Sequence, residues 1–492
     1  MSHALGRTAL LILWLCTLLQ VQAAEKKPAP PAPSPAPAAP AKPEPKAPAP
    51  KPEAPPAAKP EVKTPPAKPE TAPPPKPAAP VPATPPAPAT PPPPPAIAPR
   101  KQSLAIPIVA APPGQAAPSV DCVVTFGPVA PVSAVAFSPD GKTLATAGYQ
   151  EVLLWDLANA KLLKRIGAGQ MSDSARAMAF SKDGRLLAVA EGVPNGPGAV
   201  RLFDKESGQV TLSFQEPKEV VYALAFHPEG KLLAAGGGDA AVYVWNLDEK
   251  KVVATLKEQG DWVLGVSFSA NGKFLAAASA DKTAQVWEVG TWKPLSKMQQ
   301  TEAVYGSAFS PDGELVALAV SGPDDRAVRI RRRDNGQEVR VLDFAAAAPL
   351  DVLWVPQGNK IYVPSSDKTV KVFDGGNFNL VANLSGHRDW VYRVALTPDG
   401  TKLASASADG TVRLWNVADG RLLATLLQLT PRTDEWLIVA AQGYVAASAP
   451  GALQWRTANA KTPADKLPAL IHRPELVREA LAGNKVAPLA LQ

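Results

Sequence analysis

"SADGTVRLWN" (Ser407–Asn416) has a near twin upstream in "SADKTAQVWE" (Ser279–Glu288). The echo is either an accident of a β-rich chain or one unit of an array, and spacing decides between them. Seven turns share the form Phe/Trp/Leu-x-x-x-Gly. They are "FSPDG" at Phe137–Gly141, "FSKDG" at Phe180–Gly184, "FHPEG" at Phe226–Gly230, "FSANG" at Phe268–Gly272, "FSPDG" at Phe309–Gly313, "WVPQG" at Trp354–Gly358 and "LTPDG" at Leu396–Gly400. Successive glycines are 43, 46, 42, 41, 45 and 42 residues apart. So regular a period marks a repeat architecture.

Each unit reads as four short strands. An alternating strand such as "VYALAF" runs into the turn, where Pro presets φ and the closing Gly can take φ > 0. A small-residue strand follows ("KLLAAGG", "TKLASAS"), then a tight turn at Asp239, Asp281, Asp367 or Asp409. The third strand ends in an aromatic ("VYVWN", "AQVWE", "VKVFD", "VRLWN"), and a fourth such as "GRLLATL" completes the unit. Four-stranded units of this length are blades of a β-propeller, so the fold class is all-β.

These residues resemble the WD40-repeat family over about Val120 to Leu429. The Trp-Asp pair stands as Trp155-Asp156 and, altered, as Trp245-Asn246, Trp287-Glu288, Trp415-Asn416, Phe203-Asp204 and Phe373-Asp374. The last repeat carries the fullest pattern, Gly386-His387 followed by Ser405, Asp409 and Trp415. The resemblance implies that His387, Ser405, Asp409 and Trp415 form a buried structural hydrogen-bond network, although Ser, His and Asp together also spell a hydrolase triad. The fifth repeat departs from the pattern. It reads "VRIRRRDNG", with Arg331 where the aromatic belongs. An irregular blade is expected there, the rival reading being a basic patch of Arg329, Arg331, Arg332 and Arg333.

Seven blades are expected, eight being the alternative. "DCVVTF" (Asp121–Phe126) has the character of a fourth strand and could complete the last blade, but "LLATLLQL" after the seventh turn does too. Beyond it, "EWLIVAAQGYVAASAPGALQWR" reads as a worn repeat, with Gly443 43 residues after Gly400 and Trp455 at the aromatic position. This segment also resembles an extension found after WD40 arrays in bacterial proteins. It ends in a short helix over "HRPELVREALAG", with Pro474 in the first turn, Leu476, Val477 and Ala480 on one face, and Gly483 as the stop.

The N-terminal quarter is different. Thirty-seven of the 57 prolines lie between Pro28 and Pro118, with Gly114 the only glycine in that stretch. So little apolar surface cannot offset the entropy of ordering, and residues 24–118 are expected to be a disordered, Pro/Ala/Lys-rich linker with polyproline II character. Its composition resembles the spacers of bacterial envelope proteins and suits a tether to a surface. Between Glu25 and Pro118 eleven Lys/Arg face five Glu, whereas Ser119 to Gln492 holds 39 basic and 39 acidic residues. The basic character therefore belongs to the linker, and a neutral globular part argues against a nucleic-acid ligand. Arg7, the apolar run Ala9–Leu19 and Val21-Gln22-Ala23 read as a secretory signal over residues 1–23, the alternative being an uncleaved N-terminal anchor. Export to the periplasm, envelope or extracellular space is expected. With Cys16 removed, Cys122 has no partner for an internal disulfide.

No catalytic, cofactor or metal motif stands out. The histidines (His3, His227, His387, His472) form no ligand spacing, and no cysteine pair suits zinc. Binding is the better reading, with a monomeric propeller expected. Tyr222, Tyr305 and Tyr392 share one column, four residues before the turn, and Trp262 and Trp390 share another two residues earlier. The resemblance places both columns at the rim and channel mouth, where partner proteins or peptides dock. An enzyme with a site in the channel and a structural envelope component are the alternatives. Residues 119–429 are assigned to the propeller and 430–492 to the extension.

Overall fold

A computed structural model describes residues 100–106, 119–126, 130–344, 347–450, 453–458 and 464–489; the strands at 100–106, 119–126 and 454–458 are described by backbone pairing. The segment read as a signal, and all of the linker before Arg100, lie outside them. Seven antiparallel meanders occupy residues 135–166, 177–214, 221–256, 263–299, 304–343, 353–384 and 391–428. The first strand of the seventh lies beside the first strand of the first, which closes the ring. Val132 N–H donates to Ser407 O at 3.0 Å across this seam, as Val391 N–H donates to Ser365 O at 3.1 Å between blades six and seven. The propeller therefore has seven blades.

Strand composition follows position in the ring. Second strands such as Leu232–Gly237, Phe274–Ser279 and Lys402–Ser407 are buried on both faces beyond their first residue, because a neighbouring blade covers each side. Small residues let the sheets approach. Outermost strands such as Lys251–Leu256 alternate between solvent and core instead. The repeated turn is tied by its own side chains. Ser138 Oγ donates to Asp140 at 2.5 Å and accepts the Thr143 N–H at 3.0 Å, while Gly141 takes φ 67°. Ser181 with Asp183, Ser310 with Asp312 and Thr397 with Asp399 repeat the device. These turns abut around the ring: a Cβ on Gly184 would lie 3.1 Å from Pro139, and one on Gly272 would lie 2.4 Å from His227.

Closure differs from the expectation placed on Asp121–Phe126. The strand Ser119–Phe126 pairs with Arg100–Ile106 on one side and Gln454–Ala458 on the other, and joins no blade. The linker accordingly ends earlier than residue 118 in part, since "RKQSLAI" has no proline and keeps the N–H groups a ladder needs. Nor does the extension make an eighth blade. Trp436–Ala440 pairs with Leu422–Gln428, and Val445–Ala447 lies beyond it, widening blade seven to six strands. Leu422–Gln428 is buried on both faces through five consecutive residues, unlike the other outermost strands, so it needs a neighbour outside it. Trp455 ends up opposite Cys122 in the separate sheet.

The helix Pro474–Ala482 forms with Pro at its start and Gly483 at φ 91° as its stop. Val477, Ala480 and Leu481 face inward, with Leu481 buried where Leu476 was expected and Leu476 only half-buried. Those three pack on the outer strands of blade seven, within the core cluster that continues to Trp155 and Leu154 of blade one.

Blade five is regular. Val316 pairs with Arg331 in unbroken register, and the bulge after Ile330 recurs before the aromatic of other blades. Arg331 donates to Gly336 O at 3.1 Å and to Glu338 at 3.2 Å, while Arg329 pairs with Asp325 and Glu338 and Arg333 with Glu314. Arg333 also lies over Phe274 of blade four, 3.8 Å from the ring centroid. The basic run is thus largely neutralised locally, because bridging carboxylates come from the next strand and turn.

The seam is fastened by a buried carboxylate. Glu151 of blade one has no exposed surface and accepts from Gln428 Nε2 at 2.9 Å, the Arg432 N–H at 2.9 Å and Arg165 Nη1 at 2.8 Å. Arg165 also bonds Asp434, and Trp436 sets its ring edge against Trp155 at 6.4 Å. Glu151→Ala leaves Arg165 with Asp434 alone and takes the acceptor from the Arg432 N–H, so it is expected to cost about 3 kcal/mol in urea unfolding. Arg165→Lys should cost less than half as much, since it keeps the charge.

Candidate functional site: the channel mouth

Two groups of residues singled out by sequence occupy different surroundings. The first, in blade seven, is interior. His387 Nδ1 lies 3.0 Å from Asp409, His387 Nε2 lies 2.8 Å from Ser405 Oγ, and Trp415 Nε1 donates to that same Oγ at 2.9 Å. One proton arrangement satisfies every group. Trp415 N–H donates to Ser405, Ser405 O–H to His387 Nε2, and His387 Nδ1–H to Asp409. Burial pushes the His387 imidazole down, outweighing the opposing pull of Asp409. Burial alone would raise Asp409, but hydrogen bonds from His387, the Arg388 N–H and Thr411 outweigh it and hold the carboxyl far below the ordinary range. Ser405 has no exposed surface, and its hydroxyl is committed between an indole and an imidazole. No substrate can reach it, so this trio braces three strands.

Other blades keep fragments of the device. Trp155 donates to Thr146 at 2.9 Å and Trp245 to Glu216 at 3.2 Å. In blade four, Gln259 stands in place of His387 and accepts from Thr283 at 2.9 Å, while Ala277 replaces the serine. Gln259 Nε2 and Trp287 Nε1 are consequently buried donors without an acceptor.

The second group lies at the mouth of the channel. Tyr222, Tyr305 and Tyr392 sit in the first strands of blades three, five and seven, each half-buried, and burial raises the pKa of all three phenols. Trp262 and Trp390 enter the first strands of blades four and seven on matching hairpins. Each N–H bonds the preceding aspartate at 2.8 Å, and each carbonyl accepts from the opposite loop at 2.9 Å. The structure brings Tyr222 and Trp262 together, ring centroids 5.6 Å apart and 31° between planes. No ring contact joins Tyr305 or Trp390 to this pair among the described residues.

Next to the tyrosines, side chains of different blades meet. Arg393 of blade seven pairs with Asp351 of blade six at 2.9 Å and reaches the Tyr222 carbonyl of blade three at 3.5 Å. The equivalent positions elsewhere are small: a Cβ on Gly306 would come 2.5 Å from Asp351, and one on Gly265 would come 2.9 Å from the Gly306 Cα. Arg176 takes the tyrosine position in blade two, pairs with Asp173 at 2.7 Å, and its charge acts on both Tyr222 and Tyr392. Sequence reading missed Arg176, Asp351 and Arg393. Arg176 was findable, since it shares the tyrosine column, but the Arg393–Asp351 pairing joins blades and has no signal within one repeat. Among the described residues no group of three metal-ligating side chains exists, and no helix is long and apolar enough to cross a membrane.

Three outcomes follow from the buried network, all measurable by urea unfolding. Ser405→Ala should cost about 1–3 kcal/mol by stranding His387 and Trp415, whereas Ala277→Ser should gain about 1 kcal/mol by giving Trp287 and Gln259 an acceptor. The folded chain keeps His387 neutral below the pH at which the unfolded chain takes a proton. Its contribution is therefore present above the ordinary histidine pKa of about 6.5 and is lost as pH falls through it. His387→Gln should flatten the stability profile between neutral pH and pH 5.

Comparison with known proteins agrees with this architecture. The profile of the WD domain, G-beta repeat, matches residues 120–156, 208–246, 250–288 and 378–416. The chain is 39% identical over 71 residues to small ribosomal subunit protein RACK1y of Oryza sativa subsp. japonica, covering 14% of this chain and 21% of that protein. It is 30% identical over 97 residues to the beta subunit of a guanine nucleotide-binding protein from Schizosaccharomyces pombe (20% and 32%). It is 41% identical over 69 residues to WD repeat and SOCS box-containing protein 1 of Homo sapiens (14% and 16%). The aligned stretches thus span less than a third of each relative's length. The chain is a seven-bladed β-propeller with WD40 repeats at four of its stretches.

Proposed function

We propose that this protein is a non-catalytic interaction scaffold of the bacterial envelope or extracellular space, holding partner proteins on the channel mouth. The observation that carries this reading is the mouth itself. Five aromatic side chains, Tyr222, Trp262, Tyr305, Trp390 and Tyr392, stand half-exposed at or beside the first strands, next to the Arg393–Asp351 pair that joins blades six and seven. Aromatic rings offer large contact area for little lost entropy and dominate binding energy where they cluster. The named relatives are WD40 proteins of the scaffold or regulatory kind, which supports contact as the mode of action. Export rests on the N-terminal run, and the proline-rich segment would act as the tether between the propeller and the surface that holds it.

Cross-linking in intact cells followed by identification of captured proteins tests both halves. Partners of the envelope or extracellular space are expected, and capture should fall about tenfold or more in Tyr222→Ala/Tyr392→Ala with the urea midpoint little changed. Cytoplasmic partners only, or full capture by the double variant, would sink the reading.

A further inference from the structure

The rim carries a charge pattern that its aromatic columns do not reveal alone. A carboxylate lies three residues before each rim tyrosine: Glu219 before Tyr222, Glu302 before Tyr305 and Asp389 before Tyr392. Asp261 holds the same place in blade four, immediately before Trp262. Each acid is close enough to its own tyrosine to make that phenol harder to ionise, in addition to burial, although at Tyr222 the Arg176 charge acts the other way and more strongly than Glu219. Some of this charge is cancelled. Lys282 pairs with Glu302 at 3.2 Å, Arg176 with Asp173, and Arg393 with Asp351. Glu219 and Asp261 enter no ion pair among the described residues; Asp261 accepts a backbone N–H from Trp262, and the neighbouring Lys218 is exposed. Each of these two carboxylates stands in the segment leading to one ring of the Tyr222–Trp262 pair, where two rim aromatics meet. The Trp262 indole N–H is buried without an acceptor, so ring contact and not a hydrogen bond holds it in place.

We infer that the Tyr222–Trp262 pair, with Glu219 and Asp261, seats a lysine or arginine side chain from an extended segment of a partner protein. The inference rests on the rim reading above and adds the chemistry of the partner. A cation over the face of Trp or Tyr is attracted by the ring quadrupole, and nearby carboxylates strengthen that preference. An acidic or phosphate-bearing partner would meet two uncompensated negative charges. A neutral segment would leave them desolvated.

Fluorescence anisotropy with the full chain tests the seat, using labelled peptides of alternating alanine and lysine, alanine and glutamine, or alanine and glutamate. The lysine peptide should bind about tenfold tighter than the glutamine peptide, weaken at high salt, and outcompete the glutamate peptide entirely. Glu219→Gln/Asp261→Asn keeps shape and the Trp262 N–H acceptor, so it should abolish the lysine preference with an unchanged urea midpoint. Trp262→Leu should weaken the lysine peptide alone. Equal affinity for lysine and glutamine peptides, no binding by any of the three, or a lysine preference that survives the double variant would overturn the seat. If the two affinities are equal but both vanish in Tyr222→Ala, the rim reading stands and only the cation seat falls. If lysine binding ignores every rim variant, both fall.

Discussion

A four-stranded sheet whose middle strands are apolar on both faces cannot stand alone, since each face needs a neighbour of the same kind. Seven such sheets satisfy one another only if the first meets the last, so the junction between blades one and seven carries the whole ring. Here the last blade keeps all four strands from its own stretch of chain, and nothing is exchanged across the seam by strand order. The fastening is done by side chains. Glu151, wholly buried, gathers donors from Gln428, Arg432 and Arg165, and Trp436 and the helix Pro474–Ala482 close over the apolar ground beside it. A buried carboxylate with three donors tolerates little displacement, because any donor that leaves strands charge in a low-dielectric interior.

The extension, which looked like a worn repeat, belongs to this same problem. Its first strand covers Leu422–Gln428 and sets Trp436 against Trp155 of blade one, and its helix packs on the outer strands of blade seven, so it serves as a fastener and not as a further blade. The repeated turns do similar work with less material: six of the seven glycines bend so tightly that the preceding turn lies against them, Gly358 being the exception.

The two candidate sites are opposite uses of polar groups in one scaffold. In blade seven, Trp415, Ser405, His387 and Asp409 spend all their donors and acceptors on one another, which makes the set rigid and inaccessible. At the channel mouth, the aromatics and carboxylates are only half-used. Arg393 and Asp351 neutralise one another beside them, so the surplus negative charge stays near the surface, where a partner can meet it.

Much of this was legible in the chain. The period of the turns, the Ser/Asp/Gly chemistry inside them, the small residues of the second strands and the buried network of the seventh repeat all depend on residues close in sequence or repeated at one spacing. The acid-to-tyrosine spacing was equally visible once the repeats were aligned. Other features needed partners that the folded ring brings together: the route of Asp121–Phe126, the six-stranded seventh blade, the Glu151 clasp, the Arg393–Asp351 pair and the contact of Tyr222 with Trp262. A repeat specifies its own blade because its hydrogen bonds close locally. Which edge takes an extra strand, and which charges meet across the channel, is settled by what closure leaves exposed or unpaired, and no single repeat contains that information.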